Sequence, residues 1–108
     1  MMANRGELIA ERALLFSEAS GSDLNELKVQ IFSPTFADLT GLNAKLDQGA
    51  AICVVRFLGI AEPDVEIHGI DGVHALSQAA DVDSLLKVVA KKNGYQLFWT
   101  SGEPYFED

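Results

Sequence analysis

The sequence predicts an α+β fold, an antiparallel sheet of about five strands with one long helix, about 72–92, packed on one face. Three observations carry this. Short runs alternate apolar and polar residues with a period of two, as in Leu27-Lys28-Val29-Gln30-Ile31, and are separated by turn residues. After Asp71 the apolar period lengthens to about three and a half and stays there for some twenty residues. Strands come mostly before that helix rather than alternating with helices, which argues against a parallel sheet.

The elements follow in order. Leu8 to Ser17 reads as a first strand because branched and aromatic residues cluster at Leu14, Leu15 and Phe16 and the turn residues "ASGSD" come next. "NELKVQIF" is a second strand, with Leu27, Val29 and Ile31 on one side and Lys28 and Gln30 on the other, and the two runs form an antiparallel hairpin. Ser33-Pro34 ends it. Phe36, Leu39, Leu42 and Leu46 then fall near helical spacing, with Thr35 and Asp38 placed like a capping box, so 36–47 is either a short helix weakened by Gly41 or a structured loop. "AAICVVRFLGI" is the most strand-like run, with Ile52, Val54 and Leu58 on one face and Cys53, Val55 and Phe57 on the other, as expected of a central strand. "AEPD" is a turn and "VEIHG" a short strand, with Val65 and Ile67 inward and Glu66 and His68 outward. Ala75, Leu76, Ala79, Val82, Leu86 and Val89 form the apolar stripe of the long helix. Asp71 serves as its N-cap, Lys87, Lys91 and Lys92 sit toward its negative end, and Asn93-Gly94 stops it. "YQLFWTS" is a last strand before the acidic tail "GEPYFED". One helix covers only one sheet face. Ile9, Leu15, Phe32, Val55, Phe57 and Phe98 are expected on the other, to be covered by the 36–47 segment or by a second subunit in a homodimer.

A length of 108 residues suits a single domain, 1–108, with short flexible ends. Asp plus Glu number 16 against 8 Lys plus Arg, a formal net charge of −8. This opposes nucleic-acid binding, which depends on cations replacing phosphate counterions, and favours a basic protein partner. Cys53, the only cysteine, excludes an internal disulfide and a cysteine-based zinc cluster, and its apolar neighbours mark it as a buried hydrophobe. No apolar run reaches transmembrane length or the core of a signal peptide, so no membrane association and a cytoplasmic location are expected.

The stretch "GIDGVHALSQAADVDSLLKVVAKKNGYQLFW" resembles a family of small bacterial domains of unknown function. These place a Gly-x-Asp turn before an Ala-Leu-containing helix, after several antiparallel strands. Gly69, Asp71, Ala75, Leu76 and Ala79 are the matching positions, and "ERALLF" and "VQIFSP" resemble the family's opening hairpin. This chain departs from the pattern at His74, where a Gln is usual, and in a longer 35–48 segment. The resemblance implies architecture and transfers no catalytic residue.

Two candidate sites remain. His68, Asp71 and His74 in "HGIDGVH" have the composition of an open metal site or an acid/base pair, but lack the fixed helical spacing of a metal motif. The other reading makes Asp71 a helix cap and both histidines surface residues. Glu62, Asp64 and Glu66, together with Glu103, Tyr105 and Phe106, would form an acidic surface with aromatic anchors if the fourth strand and the C-terminus share a sheet edge or end. The reading that follows is a small, acidic, non-enzymatic interaction domain of the immunity or inhibitor kind that masks a basic partner. No cofactor, metal or catalytic residue is assigned. The alternative is a small metal-binding protein or enzyme using His68, Asp71 and His74.

Overall fold

A computed structural model of the chain describes residues 6–18, 23–36 and 51–106. Among the described residues, six strands and two helices follow one another: β1 (Leu8–Glu18), β2 (Asn25–Phe32), β3 (Thr35–Phe36), β4 (Ala51–Leu58), β5 (Val65–Gly69), α1 (Gly72–Ala80), α2 (Val82–Asn93) and β6 (Tyr95–Trp99). The fold is α+β with an antiparallel sheet, as the alternating runs predict. Phe36 lies in β3 rather than at the start of a helix, and 37–47 falls outside the described residues.

The pairings order the sheet. Val55 of β4 lies opposite both Ile31 of β2 and Val65 of β5, so β2 and β5 flank β4 on opposite sides. Ala51 lies opposite both Phe36 and Gly69, which places β3 on the same side as β2. β3 thus continues β2 along β4 after one extra residue is absorbed at Ser33-Pro34, because four steps from Ile31 to Thr35 match three from Val55 to Ile52. Proline, with no N–H to contribute to a ladder, suits such a bulge. β1 flanks β2, and β6 flanks β1. The sheet therefore runs β5, β4, β2 with β3, β1, β6. β5 and β6 are its opposite edges, and α1 and α2 carry the chain across one face between them.

That face holds the core. Leu14 and Phe16, Leu27, Val29 and Ile31, Cys53, Val55 and Phe57, and Leu97 meet Ala75, Ala79, Val82, Leu86 and Val89 of the helices. Full burial of a leucine such as Leu86 contributes roughly 1.5–3 kcal/mol. Val55 and Phe57 belong to this helix-covered face, not to the opposite one where their residue type alone had put them. Their register against Ile31 and Val29 decides it. The opposite face carries Lys28, Gln30, Arg56, Glu66, His68 and Gln96 among its apolar residues. Arg56 forms a bidentate pair with Asp64 at 3.0 and 2.9 Å and lies over the Phe32 ring.

The expected single helix is two. Asp81 has φ −80° and ψ 62°, outside the helical region, and donates its N–H to the Gln78 carbonyl. Its carboxylate accepts from the Ser84 N–H at 3.4 Å and hydroxyl at 2.7 Å, capping α2. The apolar stripe keeps its phase through the break, with Ala79 and Val82 three apart, so periodicity alone gives no sign of it. Asp71 caps α1 by accepting from the His74 N–H at 2.8 Å, and Gly94 ends α2 in the left-handed conformation. No helix among the described residues is long and apolar enough to cross a membrane.

Candidate interaction site

His68, Asp71 and His74 do not converge on a common point. His68 sits on β5 opposite Ile52, on the sheet face away from the helices, with Nε2 3.7 Å from the Glu66 carboxylate. His74 folds back within the first turn of α1, where its Nδ1 accepts from the Ile70 N–H at 3.0 Å. Its Nε2 lies 3.2 Å from the Gln78 side-chain amide nitrogen, one turn along the same helix. Asp71 is occupied as a cap. Among the described residues, no group of three or more His, Cys, Asp or Glu side chains is placed to hold a metal ion.

The acidic candidates are divided between the two ends of the sheet order. Glu62 and Asp64 lie in the turn between β4 and β5, and Glu66 lies on β5, whereas Glu103, Tyr105 and Phe106 follow β6. Several of these groups already have internal partners. Glu62, whose side chain is only 10% exposed, accepts from Asn93 Nδ2 at 2.9 Å and pairs with Lys92 at 3.4 Å, tying the β4–β5 turn to the end of α2. The Asn93 hydrogen bond, aided by Lys92, holds its carboxyl below the ordinary glutamate value. Tyr105 is buried. Its hydroxyl donates to Asp83 Oδ1 and accepts from Arg12 at 2.6 Å, joining β1, α2 and the C-terminal segment. Burial and the bond to Asp83 push the phenol up. Trp99 and Phe106 pack on the Tyr105 ring, and Arg12 lies 5.5 Å from the Trp99 ring centroid.

This cluster borders a site that composition does not reveal. β2 accompanies β1 from Leu8 to Phe16, but β6 accompanies it only from Leu14 to Glu18. Among the described residues, no strand lies beside the other edge of β1 from Leu8 to Ala13, and all six of these residues are exposed. The cause is local. The chain turns at Thr100-Ser101-Gly102, where the Gly102 N–H donates to the Trp99 carbonyl and Gly102 adopts φ 96°, a conformation costly for residues with a Cβ. It then doubles back along the outer side of β6. The Trp99 N–H donates to the Glu103 carbonyl at 2.8 Å, the Tyr105 N–H donates to the Leu97 carbonyl at 2.9 Å, and Pro104 lies opposite Phe98. The returning limb covers β6, and among the described residues nothing pairs with Leu8–Ala13 on that side of β1.

The backbone polarity of that bare edge follows from the same bonds. Leu97 and Trp99 direct their polar groups outward to the returning limb, so Gln96 and Phe98 direct theirs to β1, opposite Ser17 and Leu15. Antiparallel strands alternate residue by residue. Ala13 and Glu11 therefore present N–H and C=O to the open edge, while Arg12 and Leu14 bond to β2. On the helix side of this edge is a pocket of about 210 Å³, lined by Ala10, Glu11, Arg12, Val29, Ile31, Ala80 and Val82. On the other side, Glu11 accepts from Gln30 Nε2 at 2.7 Å through one carboxylate oxygen.

A sequence signal for this edge does exist: a ten-residue strand-like run at Leu8–Ser17 against the seven-residue run "YQLFWTS", which is closed by Gly102 and Pro104. The pairing of first strand with last, which makes that mismatch matter, is a long-range fact. Compared with protein families, with curated proteins and with solved structures, the chain matches none of them.

Proposed function

We propose that this protein is a non-enzymatic interaction domain, of the immunity or inhibitor kind, that masks a protein partner by taking one of its extended segments onto the open edge of β1. The observation that carries this reading is the Leu8–Ala13 edge, unpaired among the described residues, with the polar groups of Glu11 and Ala13 directed outward beside a pocket. Strand addition supplies main-chain hydrogen bonds for affinity and places alternate side chains on either side of the sheet for specificity. An exposed strand edge left unprotected invites aggregation, so one bearing charge at Glu11 and Arg12 is suited to a controlled encounter.

The test uses the peptide acetyl-Val-Lys-Val-Lys-Val-Lys-Val-amide and ¹⁵N-labelled protein. Titration is expected to shift the amides of Glu11 and Ala13 first. Ala13→Pro is expected to abolish the effect with little loss of stability, because the N–H it removes has no partner in β2. Peptide binding that leaves those two amides unmoved, or that survives in a folded Ala13→Pro variant, would remove the reading. N-methylation of alternate peptide bonds offers the same block without altering the protein, and is expected to weaken binding when the methylated face is turned to β1.

A further inference from the structure

We infer that the β1 edge selects a segment in which a lysine or arginine stands opposite Glu11 and an apolar side chain stands opposite Ala10, and that Glu11 is the residue that sets this preference. The inference rests on the strand-addition reading above and concerns which strand is accepted.

Residues directly opposite one another in an antiparallel pair share a sheet face. The incoming residue opposite Glu11 therefore lies on the face away from the helices, beside a carboxylate with one oxygen bonded to Gln30 and the other without a partner among the described residues. A cation there forms a cross-strand ion pair, whereas an acid meets like charge. The residues opposite Ala10 and Arg12 lie on the helix face. Opposite Ala10 is the pocket, lined by Val29 and Ile31 of β2 and by Ala80 and Val82 of the helices. An aliphatic side chain leaning over Ala10 fills it. Arg12 is already engaged by Tyr105 and Asp83, and it disfavours a second cation on that face. The edge thus reads an alternation, apolar on one side and basic on the other. The net charge of −8 draws such a segment in from a distance.

A second copy of this chain is a poor occupant. Two β1 edges paired about a two-fold axis must set residues of equal parity opposite each other, because the axis preserves the sheet faces. Glu11 can then face Glu11 or Ala13 of the other copy but never Arg12, and two molecules each carrying −8 repel.

The experiment compares three peptides of one length, valine alternating with lysine, serine or glutamate, against the wild type, Glu11→Lys and Glu18→Lys. Glu18 is an exposed carboxylate at the far end of β1, so both variants change net charge equally. For the wild type, the lysine peptide is expected to bind up to about fivefold tighter than the serine peptide. Glu11→Lys is expected to reverse the order so that the glutamate peptide binds best, and Glu18→Lys to keep the lysine preference. Equal affinities for lysine and serine peptides, with the Glu11 and Ala13 amides shifting in both, would overturn the selectivity and leave strand addition standing. So would the same loss of preference in both variants, which would assign it to the overall field. If no peptide moves those amides, strand addition fails and the selectivity with it. Amide shifts at Glu11 and Ala13 that depend on protein concentration alone would name the second copy as occupant and overturn the inference.

Discussion

Glu62 reads in the sequence as one of several acidic residues around Pro63, and nothing in its neighbours distinguishes it from Asp64 or Glu66. In the fold it is the acid that closes the β4–β5 turn against the end of α2, through Asn93 and Lys92. Its lowered pKa has a consequence for stability. The folded state binds the Glu62 proton less readily than the unfolded chain, so the contribution of the group is complete above the ordinary glutamate value and is lost as pH falls through the folded value. Glu62→Gln, which keeps the shape but not the charge, is expected to lower the urea midpoint at neutral pH by an amount that shrinks on acidification. Parallel midpoint curves for the two proteins across the acid range would show that the charge plays no part. Tyr105 shows the same limit of local reading. As part of an acidic aromatic tail it suggested a partner anchor, whereas its hydroxyl is spent between Arg12 and Asp83 inside the molecule.

Among the elements, the helical region shows most clearly where periodicity stops being informative. The stripe from Ala75 to Val89 identifies the buried face correctly, and Ala75, Ala79, Val82, Leu86 and Val89 are all buried. The break at Asp81 is set by a side chain that bonds to Ser84 and competes with the helix for the backbone, which a three-or-four spacing does not register. Asp81→Ala is expected to cost about 1 kcal/mol of unfolding free energy by loss of the cap, with helical circular dichroism retained. An unchanged urea midpoint would mean that Asp81 does not hold the start of α2. The strands show a related limit. Alternation in "AICVVRFLGI" separates Val54 from Val55, but which set meets the helices depends on the register with β2 and β5. A shift of one residue would exchange the two faces.

For the molecule as a whole, the central fact is the unequal length of β1 and β6. Among the described residues, the sheet is covered by helices on one face, closed along β6 by the returning C-terminal limb, and open along the first half of β1. Hydrogen exchange offers a direct check without any partner. The amides of Glu11 and Ala13 are expected to exchange rapidly while those of Arg12 and Leu14, bonded to β2, are protected. Uniform protection across these four residues would mean that something already pairs with the edge. Sequence alone determined the α+β class, the positions of every strand but β3 and of the helical region outside the break, the Asp71 cap and the inward stripe, because those follow from interactions within a few residues of each other. Only tertiary structure decided that His68 and His74 point apart, that Glu62 and Tyr105 have internal partners, and that β1 has a bare edge. Each of these depends on which distant segments lie side by side, and that is settled by strand order and register summed over the whole sheet.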